Sequence, residues 1–516
     1  MTFMIFLLAF ILALILTLAL VPVLKKIAIN NEIVDLPDGV RKIHKKPIPL
    51  LGGTAVFIVF FVVLALFGRQ LVLGDLNLSH WLGFFVGSLI LIIGGIIDDK
   101  YNLSAKKQFI FPILAIIAVL LGGVEIAKLS NPFGGIISVA WLSPLLIFFW
   151  LLGMMYTTKL LDGVDGLVSG VAFIGVVVIF LFTLTSRYYQ PDIALASAAL
   201  AGAILGFLFY NFNPASIFLG EGGSLFLGFA LGVLAIISGG KIAIALLVMG
   251  IPILDVAWTI FRRLLSGQNP FKSADRKHLH HRLLALGLSQ KQTVLVFYAF
   301  SASFGALALF LQSRGKLVAL ALLVLLMLVA VIIFSFFDRK KKLLLHVCCA
   351  PCSAYISRDI LLPEFDLTLY FYNSNLDSLE EYNKRLAAVQ AFTTQYKIPL
   401  IIEPYLHEAW LEKIKGHEQA PEKGARCVIC YRDRLEKTVQ LAKQKGFDFF
   451  TTSLLVSPYK DSQAINNISK ELSLKNGIAF LDRDFQLDNG FHKSQAVAKE
   501  LNFYRQKYCG CEFSKK

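Results

Sequence analysis

Two sets of residues in this chain are able to do chemistry, and each is clustered rather than scattered. Its seven cysteines fall into three groups: Cys348, Cys349 and Cys352; Cys427 and Cys430 in RCVICYRDRLEKT; and Cys509 and Cys511 in YCGCEFS. Adjacent cysteines after a strand, with a CxxC that opens a helix, supply four thiolates to one centre, and an iron–sulfur cluster or a structural zinc satisfies that spacing. Cys-Gly-Cys differs, because two thiols across one glycine suit a dithiol/disulfide couple that carries two electrons. Cys352 reads either as a packed core thiol or as an auxiliary ligand.

The second set is made of carboxylates and histidines at the ends of apolar runs. Asp98 and Asp99 stand in GGIIDDKYNLS, Asp162 and Asp165 in KLLDGVDGLVSG, and Glu221 in NPASIFLGEGGSLFLG; Asp275, His278, His280 and His281 stand among Arg276, Lys277 and Arg282 in SADRKHLHHRLL. The i,i+3 spacing of Asp162 and Asp165 predicts one helical face. Ionisable groups at membrane depth are costly and mark sites. Hard carboxylates beside basic residues, histidines and glycines spell a magnesium-dependent phosphoryl site. Zinc on the three histidines is the competing reading, and loop charges that only mark a membrane interface are the bland one.

Eleven apolar segments position this second set: about 2–24, 50–67, 80–97, 108–122, 136–153, 164–184, 191–211, 220–238, 241–260, 291–312 and 315–337. A span needs roughly 20 such residues, so they predict a polytopic helical bundle of eleven spans. The first segment reads as a span, not a removable leader. Alternate loops hold 21 and 6 Lys and Arg, with Lys25, Lys100, Lys159, Arg262 and residues 339–342 in the richer set. That asymmetry puts the richer loops, and residues from 338 onward, in the cytoplasm, with the N-terminus outside.

After residue 338 the period changes. KLLLHV, DLTLYFY and KIPLII are short β-rich runs alternating with helical stretches such as SLEEYNKRLAAVQAFTTQY, which predicts an α/β domain with a mainly parallel sheet over 339–516. The joint DRKKK is short, so the domain is expected close to the membrane face. Residues 1–342 hold 27 Lys and Arg against 14 Asp and Glu, and 343–516 hold 23 against 21. The basic excess thus lies in the apolar part, and the tail carries no bulk electrostatic footprint for nucleic acid.

Five ordered stretches, RKIHKKPIPLLGG, IIDDKYNLS, LLDGVDGL, NFNPASIFLGEGGS and DRKHLHHRLLALGLSQKQ, resemble the polyprenyl-phosphate N-acetylhexosamine-1-phosphate transferases over about 1–338. The HLHH form fits the WecA/TagO branch of that MraY-like superfamily. The resemblance implies transfer of a sugar 1-phosphate from UDP-N-acetylhexosamine to undecaprenyl phosphate in the cell membrane, with release of UMP and use of Mg2+. It implies catalytic roles for Asp98, Asp99, Asp162, Asp165, His278, His280 and His281, and substrate contacts from Lys42, His44, Lys159, Asn213, Arg276 and Arg282. Asp162 and Glu221 would hold the Mg2+. Two departures stand out: Tyr156 and Lys159 take positions where the family has Asn, and Glu221 takes that of an Asp.

The tail stretches HVCCAPCS, YNSNLDSLEEYNKRL, CVICYRDRLEKT, GFDFFTTSLLVSPYKD, GFHKS and FYRQKYCGCEFS resemble the epoxyqueuosine reductase QueH family across about 343–514. This implies a Rossmann-like (HUP-type) domain that reduces epoxyqueuosine to queuosine in a tRNA anticodon loop. The 4Fe-4S ligands would be Cys348, Cys349, Cys427 and Cys430, and the redox-active pair Cys509 and Cys511. Cys352, or a carboxylate such as Asp484, would serve an additional iron. The sequence names no electron donor. Arg432, Arg434, Lys460, Lys493 and Arg505 are candidate phosphate contacts whose default reading is solvated surface. The resulting expectation is a fusion of two enzymes; the alternatives are a degenerate membrane anchor carrying an active reductase, and a zinc-binding interaction module as the tail.

Overall fold

The computed structural model describes residues 3–36, 46–72, 76–131, 134–185, 189–238, 242–265, 278–337, 340–506 and 508–515. The chain forms two compact units, Met1–Phe334 and Ser335–Lys516. Lys42, His44, Asp275, Arg276 and Lys277 lie outside the described residues.

The first unit is helical. Among the described residues, seven of its helices are long and apolar enough to cross a membrane, or eight if the pair Ile242–Val248 and Gly250–Leu265, bent by 80°, is one span. Gly52–Leu66 and Leu167–Thr183 are apolar but only 15 and 17 residues long, and Ile110–Leu121 has 12. The expected segment 136–153 is displaced. Its first residues form a strand, β4 (Ile136–Ser138), paired antiparallel with β3 (Lys128–Ser130), and the helix runs Ser143–Leu161. Pro144 sets the start of that helix, since proline is preorganised for the first turn. A smaller ribbon pairs β1 (Val34–Asp35) with β2 (Ile48–Pro49).

Helix Gly220–Ile237 is enclosed over most of its length, whereas Ser313–Phe334 leaves most of its apolar surface uncovered. A helix apolar all round suits a lipid surround or a bundle interior, and this unit holds both kinds. Close approach sets up the site. A Cβ on Gly95 would lie 2.0 Å from the Gly222 nitrogen, so only glycine lets helix Leu78–Tyr101 reach the first turn of Gly220–Ile237.

The second unit is built on a five-stranded parallel sheet. Its strands are β5 (Lys342–Val347), β6 (Asp366–Phe371), β7 (Leu400–Ile402), β8 (Phe449–Thr452) and β9 (Ala479–Phe480), ordered β7-β6-β5-β8-β9. The chain builds outward from β5 through β6 to β7, then crosses to β8 on the other flank, making the C-terminal ends of β5 and β8 a topological switch point. Leu343, Leu344, Leu345 and Val347 are completely buried, as expected of a central parallel strand covered on both faces. Helix Leu379–Tyr396 starts where Ser378 Oγ accepts a hydrogen bond from the Glu381 amide at 3.2 Å.

His346 interrupts this apolar strand and is fully buried. Its Nε2 lies 3.0 Å from the Tyr372 carbonyl oxygen, which can only accept, and its Nδ1 lies 2.9 Å from Thr452 Oγ1. The carbonyl places a proton on Nε2, and burial, the largest cause, pushes the ring's pKa down from the ordinary 6.5 to about 4. Below pH 6.5 the unfolded chain therefore binds a proton that the folded domain refuses. Stability is expected to fall as pH drops from about 6.5 to about 4, by roughly 3 kcal/mol in all. Hydrogen exchange of the β5 amides in the full-length chain, corrected for intrinsic rate, should show this slope, and His346→Gln should flatten it.

Candidate functional site

In the helical unit the carboxylates form a linked network. Asp98 Oδ1 accepts from the Leu103 amide at 2.8 Å and from Gln108 Nε2 at 3.1 Å. Gln108 Oε1 accepts from Lys159 Nζ at 3.0 Å, and Lys159 Nζ forms an ion pair with Glu221 Oε2 at 2.8 Å. Asp99 receives the Glu221 amide on both oxygens, at 3.2 and 3.1 Å, and so caps the first turn of helix Gly220–Ile237. Asp162 is within electrostatic reach of Asp99, Glu221 and Asp165.

Asp162 and Asp165 do not share a helical face. Helix Ser143–Leu161 ends at Leu161, and residues 162–166 form a turn closed by Gly166 at φ +80° before helix Leu167–Thr183 begins. The glycines around this aspartate pair break the helical period. Asp165 Oδ2 instead accepts from Asn213 Nδ2 at 2.9 Å and the Ala215 amide at 3.0 Å, and Asn213 also donates to Gln290 Oε1 at 2.8 Å.

His278 stacks on His280 with centroids 5.7 Å apart, and His281 lies tilted against His280 at 4.3 Å. A Cβ on Gly163 would lie 2.8 Å from His280 Nε2, so the histidine run reaches the Asp162–Asp165 turn. His278 Nδ1 lies 2.9 Å from Asp255 Oδ2, whose Oδ1 accepts from the Leu279 amide at 2.9 Å. Sequence reasoning missed Asp255. The signal was available, as a lone carboxylate inside the apolar run GIPILDVAW. Arg282 lies over the Phe334 ring at 5.5 Å, and Tyr156 stacks on Phe109 at 4.8 Å.

In the sheet unit, Cys348 and Cys349 follow β5 directly, at the switch point. The Cys348 amide donates to Ser453 Oγ at 3.3 Å, and Ser453 follows β8. Among the described residues, Cys348, Cys349 and Cys352 are the one group of three or more possible metal-ligating atoms all within 4.8 Å of one another. Cys352 thus joins the first two thiols, while Cys427 and Cys430 lie outside that group, in the opening turns of helix Ala425–Lys445. Hydrogen bonds from Cys349 and Cys352 hold the Cys348 thiol well below its ordinary range, whereas the contact with Cys348, together with burial, pushes Cys349 up to about 12. Burial pushes Cys430 up to about 12.

Cys427, Cys430 and Arg434 recur at i, i+3 and i+7, one face of their helix. Arg434 is buried, donates to Asn375 Oδ1, and feels the charges of Cys430, Cys348 and Cys509. Lys460 Nζ donates to Cys509 Sγ at 2.7 Å. These two cations face cysteines rather than open surface, while Arg432 pairs with Glu471 and Arg505 donates to Gln495. Lys493 lies over the Tyr355 ring at 5.6 Å. Asp484 is exposed, accepts from the Gln486 amide, and is not in the three-thiol group.

The Cys509–Cys511 segment is fixed by Arg385, which the sequence reading also missed. Its Nη1 donates to the Cys509 carbonyl at 3.0 Å, and its Nε to Glu381 Oε1 at 2.7 Å. Gly510, at φ +118°, lies so close to Arg385 that a Cβ would be 3.0 Å from the guanidinium. Gln506 Nε2 donates to Cys349 Sγ at 2.9 Å, which ties this segment to the first thiol group. Cys511 packs with Trp410 and Ile414, and burial raises its thiol.

Two family profiles match the chain: glycosyl transferase family 4 over residues 81–239, and epoxyqueuosine reductase QueH over 343–516. The probable undecaprenyl-phosphate N-acetylglucosaminyl 1-phosphate transferase of Bacillus subtilis (strain 168) is 36% identical over 312 residues, covering 59% of this chain and 84% of that protein. The epoxyqueuosine reductase QueH of Streptococcus pyogenes serotype M1 is 36% identical over 183 residues, 34% of this chain and 71% of that protein. QueH of Haemophilus influenzae Rd is 36% identical over 178 residues, 34% and 73%. The chain belongs to both families. It is a fusion, with a glycosyl transferase family 4 region ahead of a QueH domain.

Arg385 offers a direct test of how the cysteine segment is held. Arg385→Met should raise hydrogen exchange at the 508–511 amides by about 10- to 100-fold, the worth of a hydrogen bond from a charged donor. Arg385→Lys should fall between that variant and the wild type.

Proposed function

We propose that the chain carries two activities. The helical unit transfers an N-acetylhexosamine 1-phosphate from a UDP-sugar to undecaprenyl phosphate, releasing UMP. The sheet domain reduces epoxyqueuosine to queuosine in a tRNA anticodon loop. Supporting the first is the network joining Asp98, Asp99, Lys159 and Glu221, in a chain that covers 84% of a related transferase. Supporting the second are thiols gathered at the switch point of a parallel sheet in a QueH domain.

In the transferase, Asp162 and Glu221 are hard oxygen donors of the type Mg2+ takes, although Glu221 is engaged by Lys159. Bound magnesium would polarise a phosphoryl oxygen as a Lewis acid. The chain's own groups do the rest. Asp255 fixes the tautomer and angle of His278, His280 and His281 meet phosphate, and Arg282 with Lys42, His44 and Arg276 completes the substrate contacts. The eleven apolar segments read as eleven spans, with the broken pair counted once and the short helices included. On that reading the cysteine domain lies in the cytoplasm, and the Lys and Arg asymmetry of the loops supports this.

In the reductase, Cys348, Cys349, Cys427 and Cys430 are the proposed 4Fe-4S ligands, with Cys352 beside them for a further iron. A 4Fe-4S cluster would supply electrons one at a time. Cys509 and Cys511 then act as the two-electron dithiol, held by Lys460 and Arg385. The strand order supports a Rossmann-like reading, in which ligands sit outside the strand ends. An anticodon base is already unpaired, so inserting it costs little, and this suits a domain without a strong basic field.

A second reading, that the helical unit is an inactive anchor, draws on the Lys159–Glu221 pair at the cluster. UMP release from membranes offered several UDP-sugars decides between them. Activity with one donor is expected, and silence with every donor would leave the anchor. Asp255→Asn should cost that activity on the order of 100-fold through misplaced histidines. In the reductase, Cys427→Ser should abolish cluster absorbance, whereas Cys511→Ser should keep the cluster and lose turnover. Full epoxide reduction by both variants would overturn these roles.

A further inference from the structure

We infer that the Lys159 ammonium is a resident cation of the carboxylate network and competes with a divalent metal for Glu221. This rests on reading the network as a metal site. Lys159 stands in the last turn of helix Ser143–Leu161, with its side chain 15% exposed, and is pinned from two sides. One partner is Glu221 Oε2 at 2.8 Å, and the other is Gln108 Oε1 at 3.0 Å. Gln108 cannot swing away freely. Its Nε2 donates to Asp98 Oδ1 and to the Leu103 carbonyl, both at 3.1 Å, and this turns the amide oxygen toward Lys159. The ammonium is therefore placed by the fold beside Glu221 rather than drawn in from a free loop.

The electrostatic consequence is direct. A divalent ion on Glu221 would stand within a few ångströms of a fixed positive charge, in surroundings of lower dielectric than water. Metal binding must either displace Lys159 or tolerate that repulsion, and affinity drops in both cases. Once displaced, the ammonium is free to meet a substrate phosphate, so metal entry and phosphate contact become coupled through a single side chain.

The test uses Mn2+ as the probe, followed by electron paramagnetic resonance on the full-length chain in detergent micelles. UMP release is measured in parallel. Lys159→Met and Lys159→Gln should each tighten Mn2+ binding by about tenfold or more, since they remove the repulsion. Lys159→Arg should stay near the wild type, and adding Glu221→Gln to Lys159→Met should erase the gain. Unchanged or weaker Mn2+ binding in both neutral variants overturns the inference, whatever the activity. A chain that releases no UMP with any donor, yet tightens on Mn2+ when Lys159 is neutralised, refutes the transferase reading and leaves the competition standing.

Discussion

A carboxylate does not remain charged at the end of an apolar helix unless something compensates it, and much of the helical unit's site follows from that requirement. Asp99 is compensated by the amide of Glu221 at a helix start, and Glu221 by the ammonium of Lys159. Lys159 is in turn held by Gln108, which also serves Asp98. Three stretches far apart in sequence, 98–108, Lys159 and Glu221, are thereby fastened at one place. Glycine is the steric condition for the arrangement, because Gly95 and Gly222 let the helix carrying the paired aspartates reach the turn carrying Glu221.

The sheet domain meets the same requirement with sulfur in place of carboxylate oxygen. Thiolates are wanted at the end of β5, and cations are buried or half-buried against them: Arg434 on the face shared with Cys427 and Cys430, Lys460 on Cys509, and Arg385 behind the Cys509–Cys511 backbone. The domain's overall charge is nearly balanced, so these cations are not part of a basic surface. They are local counter-charges to sulfur. A centre with anionic thiolate ligands would be easier to reduce with such charges near it.

Much of this was legible in the residue order. The cysteine-poor apolar part, the β-rich runs after residue 340 and the cysteines at the end of KLLLHV predicted a helical unit and a parallel sheet with thiols at its strand ends. What the sequence hid was geometry set by other segments. Spacing made Asp162 and Asp165 look like one helical face, but the glycines between and after them end the helix. Segment 136–153 looked like a uniform apolar span, yet its first residues pair as a strand. Cys352 was ambiguous because only the fold of 348–355 brings its sulfur within 4.8 Å of two others. Arg434 and Lys460 read as surface cations because no local pattern reports that a loop or a C-terminal segment will cover them. Asp255, by contrast, could have been found by asking which carboxylates lie inside apolar runs.

The central claim is that a second, redox enzyme begins at β5 of a chain that is otherwise a membrane transferase. Its most direct test is the iron, acid-labile sulfide and zinc content of the intact chain purified without oxygen. Iron and sulfide at about four each per chain, with further iron tolerated and zinc negligible, is the predicted result. A colourless chain holding zinc and no sulfide would contradict it.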